Sequence, residues 1–167
     1  MEPPDALYAF RRLFYGRLRR RGDALFELTD AILSADGGVP SPAHLSLQAS
    51  HRRGWGNLYA ALGRGRIDDE ALRRLFACRP LPSGGADEPL VFAVDASVWP
   101  RCDAECSPDR GYYYHPSRHS AGQPIVAGWA YQFVAQLGFV REIWTAPVDM
   151  ERVRPDQEAN AVAAEQV

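Results

Sequence analysis

Residues 90–97 read Leu90-Val91-Phe92-Ala93-Val94-Asp95-Ala96-Ser97, and the reading of this stretch decides the fold. The apolar run from Leu90 to Val94 is too short for a helix, is rich in Val and Phe, and is entered through Pro82-Ser83-Gly84-Gly85 and Pro89. That combination reads as a buried strand. Asp95 then stands at the strand's end. An aspartate there has two ordinary uses, a turn that bonds the backbone ahead of Ser97 or a ligand for a hard cation. Upstream the chain reads as helical and rich in arginine, and downstream as a sheet built outward from this strand.

Working downstream, residues 99–120 form a polar, turn-rich excursion holding Cys102, Cys106, His115 and His119 among Pro, Gly and three consecutive tyrosines. Cys102-x3-Cys106 and His115-x3-His119 have pair spacings close to those of a Cys2His2 zinc site. Against zinc, only eight residues separate the pairs, Pro116 lies between the histidines, and no helical pattern carries them. A surface hairpin with two reduced thiols and two imidazoles is the weightier reading. Residues 123–139 follow with small and strand-favouring side chains, alternating through Tyr131, Phe133, Ala135 and Leu137, and predict a long strand bent at Gly128. Gly138 allows a turn, and residues 141–146 read as a third strand paired with it. Beyond Pro155 the alanine-rich residues 156–167 favour a helix. The predicted order is strand, long strand, strand, helix.

Working upstream, Leu7, Phe10, Phe14 and Leu18 recur every three or four positions, which makes one apolar stripe of an amphipathic helix. Gly22-Asp23 interrupts it, and Asp23 is placed to cap a second helix carrying Leu25, Leu28 and Ile32 that stops at Gly37-Gly38. Ser41-Pro42 has the N-cap and first-position signature of a short helix. The pattern returns around residues 54–62 and 69–77, the last helix having Asp68 at its cap and Leu72, Leu75 and Phe76 inward. Four or five helices are expected. Residues 58–77 mimic a helix-turn-helix, but Asp68-Asp69-Glu70 would repel the phosphates that a recognition helix meets at its start.

With 167 residues, 46% of them hydrophobic and 24% charged, the chain can bury a real core in one ordinary domain or two small ones. No apolar run reaches the roughly eighteen residues of a membrane span, and residues 1–5 lack the basic start and apolar core of a signal peptide, so a cytoplasmic protein is expected. Three cysteines are too few for a disulfide framework, in keeping with a reducing compartment. The net charge of -2 hides an asymmetry: residues 1–80 carry thirteen Arg against nine acids, or +4, and residues 81–167 six Arg against twelve acids, or -6. Arg17, Arg19, Arg20 and Arg21, with Arg52 and Arg53, could track a phosphate backbone by releasing counterions. The plainer alternative is the solvated face of amphipathic helices.

Residues 91–97, then His115-Pro116-Ser117-Arg118-His119, residues 123–129 and the strand after them resemble the start of the catalytic domain in DDE insertion-sequence transposases. Residues 17–28 and His51-Arg52-Arg53-Gly54-Trp55-Gly56-Asn57-Leu58-Tyr59 resemble the helical leader of one such bacterial family, so the similarity covers nearly the whole chain. The resemblance implies an RNase H-like fold in which three antiparallel strands precede the first helix and the first acidic residue lies on the first strand. Asp95 is the position that matches that residue. It implies DNA transposition at element ends with Mg²⁺ as cofactor, and it leaves a homodimer open. Two divalent cations, one activating the attacking oxygen and one stabilising the leaving oxygen, explain the need for carboxylates.

The expected fold class is therefore α+β, with a helical N-terminal domain over residues 1–82 followed by an incomplete RNase H-like α/β domain over 86–167. Such enzymes need a second Asp and a Glu, and Asp149, Glu151 and Asp156 fall on this reading after the third strand and ahead of the helix. The sequence thus reads as the N-terminal portion of a transposase, DNA-binding at most and without nuclease activity of its own. The competing reading is a small arginine-rich or zinc-stabilised module that binds DNA or a protein. A degraded reading frame with an exposed sheet edge is a third.

Overall fold

The apolar spacing of residues 7–14 does make a helix, but a shorter one than expected. In the computed structural model, which describes residues 3–79, 89–115, 124–138 and 145–166, α1 runs Pro3–Tyr15. The chain turns at Gly16, and Leu18–Arg20 form a strand, β1, paired antiparallel with β2, Arg66–Ile67. Leu18 thus leaves the helical stripe yet keeps its burial, packing with Ala24, Leu25 and Ala61 under Phe14 and Phe26. Helix α2 spans Gly22–Leu33 and begins from Arg21, whose φ of 56° lies in the left-handed region, a costly conformation outside glycine. Asp23 is not its cap. No side chain caps α2, and Asp23 instead accepts from the Tyr15 hydroxyl at 2.5 Å. That bond holds the Tyr15 phenol above its usual pKa.

Helix α2 ends at Leu33, short of Gly37-Gly38, and turns Ala31 rather than Ile32 inward. Ala31 joins Leu28, Leu45 and Leu58 in a second apolar cluster. The short α3, Pro42–Leu45, is capped as its sequence predicts, Ser41 Oγ accepting from His44 N at 3.2 Å. Helices α4, Trp55–Arg64, and α5, Asp69–Ala77, bring the helical half to five. Asp68 Oδ1 caps α5 by accepting from Ala71 N. Leu75 is buried, while Phe76, expected inward, is exposed. The chain divides into two units, Met1–Leu75 and Phe76–Val167.

The second unit is a sheet with one helix. Strands β3 (Val91–Pro100), β4 (Gly111–Tyr114), β5 (Ile125–Leu137) and β6 (Thr145–Val153) precede α6 (Ala159–Gln166). The long strand expected over 123–139 is β5, and it is central. β3 pairs along one side of it, and on its other side β4 covers Ile125 to Gly128 while β6 covers Ala130 to Leu137, all antiparallel. The change of partner falls beside Gly128, where β3 crosses so closely that a Cβ would meet the Trp99 carbonyl oxygen at 2.2 Å. Glycine is needed there for lack of space.

Three expectations are corrected here. Asp95 lies in the middle of β3, because the strand continues through Val98 and Trp99. The hairpin excursion carries a strand of its own, β4. The third strand covers Thr145–Val153, and residues 141–144 lie outside the described residues. Asp149 and Glu151 therefore belong to β6 rather than to the segment after it. Even-numbered residues of β5 face α6, with Ala130, Val153 and Val162 forming a core beneath Tyr113 and Ala159. Helices followed by an antiparallel sheet and a further helix make a mixed α+β architecture consistent with part of an RNase H-like fold.

Candidate active site and nucleic-acid interface

Residues directly opposite each other in a ladder share a face of the sheet, so register places Asp95. It stands across from Phe133, which stands across from Met150. The next row on the same face is Ser97, Tyr131 and Arg152, and the row after it begins with Trp99 and Trp129. This face lies opposite the one covered by α6. The Asp95 side chain is exposed and makes no hydrogen bond or ion pair among the described residues. Beyond Asp95, β3 presents an edge to which no described strand pairs.

The other carboxylates of the sheet are held apart from Asp95 by the pleat. Asp149 stands across from Val134 and Glu151 across from Gln132, both on the α6 face. There Asp149 Oδ2 accepts from Gln166 Nε2 at 2.8 Å. Asp156 is exposed between β6 and α6. Among the described residues no three His, Cys, Asp or Glu side chains come together as a metal site. One exposed carboxylate offers too few hard oxygens for two cations, so these residues alone do not fit the two-metal centre that the resemblance implies.

Of the zinc set, Cys102, Cys106 and His115 do not come together as a metal site among the described residues. Cys102 and Cys106 are exposed thiols, Cys102 Sγ approaching the Ala127 carbonyl at 3.8 Å. His115 N donates to the Pro124 carbonyl at 2.7 Å, extending the β4–β5 ladder. His119 lies outside the described residues.

The turns between β3 and β4 are pinned down by side chains to which the sequence reading assigned no role. Trp129 Nε1 donates to the Pro108 carbonyl at 3.3 Å, and Arg152 Nη2 donates to the Pro108 and Asp109 carbonyls at 2.9 and 3.0 Å. The Arg101 and Arg152 guanidiniums lie 5.6 and 5.1 Å from the Trp129 ring centroid, within cation–π reach. Arg101 also bonds Asp103 through both carboxylate oxygens, which holds that carboxyl below the usual range. On the α6 face, burial pushes the Tyr113 phenol up.

In the helical unit the six candidate arginines divide by what they touch. Arg19 bonds Asp68 at 3.1 and 2.5 Å, and this contact, followed by the Ala71 amide, lowers the Asp68 pKa. Arg53 bonds Glu27 at 3.1 Å and Asp23 at 3.5 Å. Arg17 is half-buried and its carbonyl accepts from Asp68 N, which ties β1 to the start of α5. Arg20, Arg21 and Arg52 are exposed and make no ion pair among the described residues. The ribbon adds a feature that the sequence hides: Arg20 stands directly across from Arg66. Like charges so placed repel and favour an anion between them. The helix-turn-helix reading loses support, since β2 intervenes between α4 and α5, and α5 begins with Asp69 and Glu70.

No helix among the described residues is long and apolar enough to cross a membrane. A family model described as "DDE superfamily endonuclease" matches residues 13–167. Comparisons with curated proteins and with solved structures give no match.

Proposed function

The chain belongs to the DDE superfamily endonucleases, and on that premise we propose that it is a transposase polypeptide acting at the ends of a mobile DNA element. Membership implies DNA as substrate and divalent metal ions as the family's cofactor. The observation that carries the finer reading is Asp95, a carboxylate without a structural partner among the described residues, exposed at the middle of the sheet's edge strand. Mid-strand backbone is held by its ladder, so Asp95 is a preorganised first carboxylate for a Mg²⁺ centre, whose other ligands come from outside the described residues. The helical unit contacts the DNA backbone through Arg20, Arg21 and Arg52, with Arg66 beside Arg20, while Arg19 and Arg53 chiefly hold the unit together.

This chain alone binds DNA and does not cut it, because the described residues gather no cluster of metal-ligating carboxylates around Asp95. A supercoiled-plasmid nicking assay with Mg²⁺ is expected to show no turnover. Robust nicking abolished by Asp95→Asn would overturn this. For binding, replacing Arg20, Arg21 and Arg52 by Ala is expected to lower the slope of log K against log salt by about 3, about one unit per lost phosphate contact. An unchanged slope would remove these residues from the interface.

A further inference from the structure

The face of the sheet that bears Asp95 is aromatic and largely uncovered. Register places Trp99 of β3, Tyr112 and Tyr114 of β4, and Trp129 and Tyr131 of β5 on that one face. Tyr112 is 78% exposed, Tyr114 68% and Trp99 56%. Elsewhere on the sheet Tyr113, one position out of phase with its neighbours, packs onto the α6 core. The exposed rings are therefore the half of an alternating pattern that finds no cover among the described residues. Trp99 meets Tyr131 edge-on, with centroids 5.9 Å apart and planes at 63°. Trp129 already holds two guanidiniums within cation–π range. These rings are disposed for planar partners.

We propose that this face is a stacking platform for unpaired nucleotides, so that a DNA strand running over it toward Asp95 is held single-stranded. The inference rests on the DNA reading above and adds which form of DNA the sheet takes. A base inside a duplex shows only its edge in the grooves, whereas an unpaired base offers its π-face, to which an exposed aromatic side chain is complementary. Spacing agrees. Tyr112 and Tyr114 are two residues apart on one strand, roughly 6.8 Å at the rise of an antiparallel strand. That is about twice the 3.4 Å step of a strand within a duplex and suits a strand drawn out of its stack. Charge agrees as well. Arg101 and Arg152 are matched by Asp103 and Asp109, so this face selects by stacking, and the salt dependence of binding belongs to the arginines of the helical unit.

The test uses the full chain with fluorescein-labelled (dT)15 and a 15-base-pair duplex, read by anisotropy over a salt series. The paired change Tyr112→Ala and Tyr114→Ala touches two exposed side chains. It is expected to weaken (dT)15 binding at least about tenfold, each lost stack being worth roughly five- to a hundred-fold. Duplex affinity should move less than twofold, and the salt slope should stay unchanged, because no charge is removed. Tyr112→Phe with Tyr114→Phe keeps the rings and is expected to keep the affinity. The proposal is overturned if the alanine pair leaves (dT)15 affinity within twofold, if it weakens both DNAs alike, or if the chain takes the duplex but not (dT)15. Sedimentation velocity covers the competing occupant: an alanine pair that splits a dimer without changing (dT)15 binding assigns the face to a second copy and also overturns it. An unchanged duplex affinity and salt slope in the arginine variants would strike the arginine assignment and leave the platform standing.

Discussion

Gly128→Ala probes the crossing that fixes the whole Asp95 face. An added Cβ would lie 2.2 Å from the Trp99 carbonyl oxygen, 3.0 Å from its carbon and 3.1 Å from Pro100 Cα, where ordinary contact begins near 3.4 Å. The obstacles are backbone atoms, which cannot rotate aside as a side chain would. β3 and β5 must therefore part by about 1 Å at this end of their ladder, where Arg101 N also donates to the Ala127 carbonyl at 2.8 Å. Overpacking of this kind costs about 1–3 kcal/mol, and the rigid obstacle argues for the upper end, about 3 kcal/mol. For a domain of this size each kcal/mol moves Tm by about 4–8 °C, so a fall of about 12–24 °C is expected. Urea unfolding followed by tryptophan fluorescence gives the free energy, and hydrogen exchange of the β5 amides locates the loss. Gly63→Ala is the control, since nothing lies within 4 Å of a Cβ there and a helical Ala gains about 0.5–1 kcal/mol over Gly. A Gly128→Ala variant within about 0.5 kcal/mol of the parent would refute the claim that the β3–β5 crossing leaves no room for a Cβ.

Three further outcomes are expected. Leu58→Ala, at a fully buried site between Leu28, Ala31 and Leu45, should cost the helical unit about 2–5 kcal/mol in urea unfolding, the range for a large buried aliphatic cut to Ala. Asp95→Asn should change stability by no more than about 0.5 kcal/mol in the same measurement, as for exposed positions without partners; a larger loss would make Asp95 a structural residue. The Asp68 carboxyl has its pKa lowered on folding by Arg19, so its contribution is present above the ordinary carboxylate range and is lost as pH falls through the lowered value. Asp68→Asn should therefore flatten the stability-against-pH curve of the helical unit on the acid side and leave its slope near neutrality unchanged. An unaltered acid limb would refute the pairing.

Periodicity made several elements legible, and it failed where the ladder partner was remote. The strand over 125–137 and the Ser41 cap were readable because alternation and cap chemistry are local. The β1–β2 ribbon was not, because Leu18 falls at helical spacing from Phe14 and its partner Ile67 lies far along the chain. β3 reads as ending at Asp95 because Ala96 and Ser97 carry no strand signature, although Val98 and Trp99 do. The third strand reads as ending at Ala146, just ahead of Pro147, which cannot donate to a ladder. In the structure Pro147 borders the irregularity between Val134 and Ala135, where an unpaired residue is tolerated. The aromatic face was out of reach altogether, since alternation assigns each strand two faces and only register says which of them coincide.

That same irregularity in β6 bears on how the carboxylates are distributed. Because side chains alternate, a slip of one residue exchanges the faces of a strand. The bulge near Val134 is one such slip built into the ladder, and it puts Met150 and Arg152 on the Asp95 face while Asp149 and Glu151 face α6. Had the register of Thr145 to Pro147 continued unbroken through β6, the two carboxylates would stand on Asp95's face and the arginine that bridges Trp129 and the Pro108 carbonyl would stand against α6. The bulge thus keeps a guanidinium, rather than negative charge, beside the aromatic rings. A polyanionic strand approaching Asp95 over that surface meets one lone carboxylate and a paired cation instead of three mutually repelling acids. The isolation of Asp95 therefore comes from the sheet's register, with Asp149 and Glu151 close in sequence to its face but turned away from it.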